Sequence, residues 1–152
     1  MKRLQTLVGS GDRIALFVLP AVLAGVFLNY AHPAWFDVGG PPTALRVLSI
    51  AVLVPGVVIW MWSVILILRN VPDGRLITDG PYAWVKHPLY AAVALLVLPW
   101  VGFLLDTWLG VLIGAVLYVG SRVFAPAEED ALSRAFGSRW TDYSRSVRFP
   151  GV

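Results

Sequence analysis

Residues 89–121 read LYAAVALLVLPWVGFLLDTWLGVLIGAVLYVGS, and Asp106 is the one charged residue among them. It divides two uncharged runs, 89–105 and 107–121, of 17 and 15 residues. A bilayer core needs roughly 20 apolar helical residues, with a lower limit of about 17. The second run reaches that length if Val123 to Ala125 extend it and Arg122 snorkels to the boundary. Two spans joined by a turn this tight must be antiparallel neighbours.

Working outward, runs 14–31 and 47–68 also lack Asp, Glu, Lys and Arg, over 18 and 22 residues. The whole chain is 58% hydrophobic and 14% charged with a mean hydropathy of +0.74. Soluble domains carry about one quarter charged residues, so lipid is the expected solvent. The fold class expected is therefore all-α: a polytopic membrane protein with four transmembrane helices plus a C-terminal cytosolic amphipathic helix. Residues 1–152 form a single membrane domain in this reading. Its helices are expected at about 13–31, 44–68, 88–105 and 107–125, with a cytosolic loop at 69–87 and a C-terminal helix at 126–146.

Charge sets the orientation. Lys2, Arg3 and Arg13 precede the first run; Arg69, Arg75 and Lys86 lie between the second and third; Arg122, Arg134, Arg139, Arg145 and Arg148 follow the fourth. Only Arg46 falls on the other side. By the positive-inside rule both termini and the 69–87 loop are cytosolic, in the plasma (inner) membrane. The basic residues flank apolar runs instead of forming a soluble patch, so nucleic acid is not an expected partner. Lys2 and Arg3 before an apolar run resemble a signal peptide, yet no small-residue cleavage site follows at 29–33, and a retained helix is expected. With no cysteine, disulfides, thiolate nucleophiles and cysteine metal sites are excluded. No metal is expected.

Pro20, Pro55 and Pro99 lie inside the runs, where each frees a carbonyl and bends its helix unless neighbours repair the gap. Trp35, Trp100 and Trp108 fall at the outer boundary and Trp84 at the inner one, as an aromatic belt requires. Trp60 and Trp62 lie deeper, either packing between helices or lining a lipophilic pocket. In the tail, Leu132, Phe136, Trp140 and Tyr143 recur at helical spacing, and Pro126 followed by Glu128, Glu129 and Asp130 reads as a helix start.

The hairpin turn brings distant polar residues together. His87 lies 19 residues before Asp106 and Pro126 lies 20 after it. At 1.5 Å per residue both return to the same depth, about 29 Å down. Lys86, His87 and Tyr90 should then face Arg122, Glu128 and Glu129 across helices about 8 to 10 Å apart. Simpler readings exist for each: His87-Pro88 as a loop end with proline in the first turn, the glutamates as helix-dipole partners, and Tyr82 and Tyr90 as interface aromatics.

The stretch LITDGPY at 76–82, followed by KHPLY at 86–90, resembles the GPY and RHPxY signature of isoprenylcysteine carboxyl methyltransferases and their relatives the phospholipid N-methyltransferases. Glu128-Glu129, Leu132, Phe136-Gly137, Trp140, Tyr143, Val147-Arg148 and Pro150 are similar to that family's tail pattern. Lys86 stands where the family usually has Arg, Ala92 where it has Gly, and Trp140 where it has Tyr. Lysine keeps the charge and loses the bidentate fork. The resemblance covers 76–150 and implies a methyltransferase that uses S-adenosylmethionine. It implies cofactor contacts from Gly80, Tyr82, Lys86, His87, Pro88, Tyr90, Glu128 and Glu129, and catalytic roles for Arg122 and Glu129.

Those residue types suit the donor. A glutamate accepts hydrogen bonds from ribose hydroxyls or an ammonium, Lys86 and His87 suit its carboxylate, and aromatic faces suit a sulfonium. The acceptor expected is a lipophilic small molecule or lipid that reaches the boundary through the bilayer. Three rivals remain: a phospholipid amine N-methyltransferase, a small multidrug transporter and a non-catalytic membrane interaction protein. Proton-coupled pumps need an intramembrane acid, which the four runs lack.

Overall fold

The computed structural model describes residues 11–40 and 42–149. Lys2, Arg3 and Pro150, which enter the charge and motif readings, lie outside the described residues. The chain is helical, with two isolated bridge pairs and no strand among the described residues. Helix α1 spans Gly11–Ala31 and α2 spans Thr43–Asn70. Helix α3, Pro88–Leu104, is a composite, and α4 spans Leu109–Phe136. A short α5, Ser138–Ser146, ends the chain.

Three helices, α1, α2 and α4, are long and apolar enough to cross a membrane, with 21, 28 and 28 residues. Their outward faces carry exposed large apolar side chains such as Leu16, Phe27, Val47, Val58 and Val119. In water that surface would be costly, and in lipid it is solvated. Helix α3 is apolar but shorter.

The principal packing runs α1 against α4, α4 against α3, and α3 against α2. Small residues govern the α3–α4 contact. A Cβ on Gly110 would meet the carbonyl oxygen of Leu98, one on Gly114 that of Ala94, and one on Gly102 would lie 2.7 Å from Thr107 O. Lipid tails are as apolar as leucine, so close backbone approach is a main source of helix–helix attraction in membranes. Gly56 does the same for α2, where a Cβ would meet Leu96. On α1, Phe17 meets Phe124 edge to face at 6.0 Å. The buried hydroxyls of Ser49 and Ser63 donate to Leu45 O and Ile59 O, each at 2.8 Å, so no polar group is stranded there.

At its Asp106 end the hairpin is tied to the α1–α2 loop. Asp106 takes a positive φ of 58°, and its carboxylate accepts the Gly40 N–H at 2.9 Å. Trp108 donates its indole N–H to Trp35 O at 2.8 Å and its backbone N–H to Phe36 O at 3.0 Å.

Two features depart from expectation. Residues 126–146 do not form one separate helix: α4 runs unbroken through Pro126 to Phe136, and the break falls at Gly137. Proline removes a single N–H, and here both Pro126 and Arg122, whose carbonyl loses its donor, are exposed. Gly137 has a φ of 56°, where only glycine sits without strain. Consequently Glu128, Glu129 and Asp130 are mid-helix residues, not a first turn. The second departure is a π-helical segment, Ala92–Val97, inside α3. It directly precedes Pro99, whose missing N–H leaves the regular i to i−4 ladder incomplete; a wide turn is a known local remedy.

Gly114→Leu should lower the thermal midpoint of the detergent-solubilised protein, since overpacking costs about 1–3 kcal/mol. Leu112→Ile, on an exposed position of the same helix, should change stability by no more than about 0.5 kcal/mol.

Candidate active site

After α2 the chain turns at Val71 to Gly74, where Gly74 adopts a φ of 63°. It then passes through a short 3₁₀ turn, Gly80–Ala83, into α3. Gly80 also has a positive φ, 58°, and lies against the Trp62 indole, where a Cβ would be 3.0 Å from the ring. Trp62 therefore serves packing of this turn. Pro88 is fully buried at the first turn of α3, with His87 at its N-cap position.

The C-terminal segment locks onto this loop. Tyr143 donates its hydroxyl to Tyr82 O at 2.8 Å, and Phe149 N–H donates to Trp84 O at 2.9 Å. Arg148 lies 5.5 Å above the Trp84 ring. Trp140, Tyr143 and Val147 form a buried cluster with Leu76, Leu132 and Phe136 packed against it. The four residues at helical spacing thus pack together, from two helices, α4 and α5, and not as the face of one.

Between loop, α4 and α5 lies a cavity open to solvent on one side, about 840 Å³ when the solvent at its mouth is counted. One part of its wall is apolar: Ile67 from the last turn of α2 and Val71 just after it, with Leu132 and Phe136 from α4. The other part carries Arg75, Tyr82, Lys86, His87, Tyr90 and Glu128. Lys86 Nζ lies 2.8 Å from Glu129 Oε2, a hydrogen-bonded ion pair. His87 sits between the two glutamates, with Nδ1 4.0 Å from Glu128 and Nε2 3.5 Å from Glu129. The Nε2 atom is buried yet makes no hydrogen bond among the described residues. A buried polar atom without a partner is costly, and Glu129 Oε1 at 3.5 Å is the acceptor beside it.

The residues expected at the site divide as follows. Tyr82, Lys86, His87, Tyr90 and Glu128 line the cavity; Glu129 stands behind Lys86 and His87; Gly80 and Pro88 shape the backbone without lining it. Arg122 does not join them. It is exposed, and seven residues along one helix set it about 10.5 Å from Glu129 toward the bundle. The structure adds Arg75, Ile67 and Val71 to the wall. A cation immediately before the LITDGPY stretch was the available sequence signal for Arg75; for the other two, only their place at the end of α2 and just beyond it was.

Burial followed by the nearby Glu128 pushes the Tyr82 phenol well above its ordinary value. Tyr143 is pushed up to about 12, by burial first and by Glu129 second. Both phenols are therefore neutral donors at physiological pH.

The fold and the site together define a membrane protein whose loop and C-terminal segment enclose a charged, aromatic cavity at one end of an apolar bundle. The profile of the isoprenylcysteine carboxyl methyltransferase family matches residues 43–134, more than half of the chain, and the protein belongs to that family. It is a membrane methyltransferase by family. Neither curated proteins nor solved structures give a match. The matched span includes α2, α3 and nearly all of α4, while α1 and α5 lie outside it.

The raised Tyr143 value predicts an alkaline transition. A phenol whose folded value of about 12 exceeds its ordinary 10 contributes stability in full below pH 10, which is lost as pH rises to about 12. Ultraviolet titration of tyrosinate should show an ionisation near 12 that Tyr143→Phe removes. That variant should also lose about 0.5–1.5 kcal/mol at neutral pH with the hydrogen bond to Tyr82 O.

Proposed function

We propose that this protein is an S-adenosylmethionine-dependent methyltransferase of the inner membrane that acts on a lipophilic acceptor. The observation that carries this reading is a single cavity with a charged, aromatic wall and an apolar wall. The first suits a nucleoside donor and the second suits an acceptor drawn from lipid. Glu128 supplies a carboxylate for hydroxyl or ammonium groups, and Trp140, Tyr82 and Tyr90 offer aromatic faces.

When bound, S-adenosylmethionine supplies an electrophilic methyl on a sulfonium. The chain's own task is to align donor and acceptor and to exclude water, because charge is lost in the transfer. The Lys86–Glu129 pair fixes Glu129, and with it the edge of His87, beside the cavity. Glu128, Lys86, His87, Tyr82 and Tyr90 are the proposed donor contacts, and Gly80 and Pro88 hold their loop. A role for Glu129 is one of positioning, through Lys86 and His87. The apolar wall favours an amphiphile whose chain lies along Ile67, Val71 and Phe136, as an isoprenyl-bearing or phospholipid acceptor would.

The reading also includes the topology. Helix α3, with its wide turn, completes four spans with α1, α2 and α4; both termini face the cytosol. Eleven of twelve basic residues on one side support this.

Two measurements test it. Titration calorimetry with S-adenosylhomocysteine should detect binding, and Glu128→Ala or His87→Ala should weaken it at least about 10-fold, in keeping with loss of a charge-assisted bond; absence of binding to the intact protein overturns the donor assignment. The chain has no cysteine, so Ala34→Cys and Thr141→Cys, both at exposed positions, report topology directly. An impermeant thiol reagent added to intact cells should label the first and spare the second, and the opposite pattern would reverse the orientation.

A further inference from the structure

The charges around the cavity are unevenly committed. Lys86, the cation that suits a donor carboxylate by sequence, is hydrogen-bonded to Glu129 at 2.8 Å, and its side chain is only 11% exposed. His87 has both glutamates beside it, at 4.0 and 3.5 Å. An anion brought to either group would also meet the Glu128 and Glu129 carboxylates, and like charges at that range repel. Arg75 is differently placed. It lines the same cavity, and its ion pair with Asp73 spans 3.8 Å between side chains 72% and 57% exposed. At that length and exposure the pair is worth little and is readily exchanged for a better partner.

The backbone holds Arg75 in position. Its N–H donates to Asn70 O at 3.0 Å, closing the turn that follows α2, and its neighbours Leu76 and Ile77 also line the cavity. From this fixed backbone an exposed guanidinium presents a planar fork that matches a carboxylate with two parallel hydrogen bonds. The cavity then has two electrostatic ends: acids on α4 for cationic groups, and Arg75 on the loop for an anionic one.

Resting on the donor reading above, we propose that Arg75 is the carboxylate-binding residue of this cavity. The donor carries a sulfonium, an ammonium and a carboxylate, which matches that division of charge; a lipophilic acceptor with a free carboxylate presents the same chemistry. Both sources make Arg75 a specificity residue that disfavours a purely cationic ligand at the loop end.

The test uses the full chain in detergent, with Arg75→Gln and Arg75→Lys. Two probes are titrated: S-adenosylhomocysteine, and methylthioadenosine, which keeps the nucleoside and thioether but lacks the carboxylate. If the donor is the source, Arg75→Gln weakens S-adenosylhomocysteine by about 10- to 100-fold, the loss expected for a charged hydrogen bond. Methylthioadenosine affinity is then unchanged, and Arg75→Lys falls between. If the acceptor is the source, both nucleosides bind as before and KM for a lipophilic carboxylate rises by a similar factor. Arg75→Gln that alters neither quantity, or that weakens both nucleosides equally, overturns the proposal. Intact protein that binds neither nucleoside instead defeats the donor reading on which it rests, so the two failures are distinguishable.

Discussion

The backbone of α3 lies against the backbone of α4, and the remaining architecture depends on that approach. Gly102, Gly110 and Gly114 leave no side chain between the helices, and the carbonyls of Leu98 and Ala94 occupy the space a Cβ would need. Close contact of this kind substitutes packing for the hydrophobic drive that lipid does not supply. It also sets the separation of the two helices at their far ends, where Lys86 and His87 precede one and Glu128 and Glu129 belong to the other. Ion pairs as short as that between Lys86 and Glu129 require helices held at a defined distance.

Around this hairpin the cavity is built from pieces that no single helix provides. The last turns of α2 give an apolar edge, α4 extends past the apolar bundle to give Glu128, Leu132 and Phe136, and α5 folds back with Trp140 and Tyr143. The hydroxyl of Tyr143 on Tyr82 O and the Phe149 N–H on Trp84 O fasten α5 and the following residues to the loop. Each of these bonds joins residues about sixty apart in the chain. The site is thus a tertiary object, although its key side chains cluster in two short sequence segments.

That clustering explains how much was legible beforehand. Charge-free runs and the lone Asp106 reveal the helical hairpin, because a bilayer imposes strong constraints on composition and length. Simple helical arithmetic brings Lys86 and His87 to the glutamates. The same arithmetic misjudges Pro126, since a proline disrupts a helix only as far as its lost hydrogen bond and ring clash demand, and exposed surroundings soften both. Gly137 terminates the helix through backbone conformation, a property that composition at 126–130 does not reveal. Arg122 illustrates a further limit: a motif can align a residue while helix length keeps it away from the cavity. The place of Arg75 depends on how the 71–75 turn folds over the end of α2, which periodicity does not address.

The wide turn at Ala92–Val97 sets the phase of α3. In a regular helix, twelve residues at about 100° each would leave Tyr90 and Gly102 rotated by about 120°. One inserted residue makes the interval behave as eleven, and the rotation falls to about 20°. A single rod can therefore turn an aromatic ring into the cavity at one end and a bare backbone toward the same neighbour at the other. Proline at position 99 looks like a defect in a membrane helix; through the bulge that accompanies it, it aligns the chemical end of the rod with its structural end.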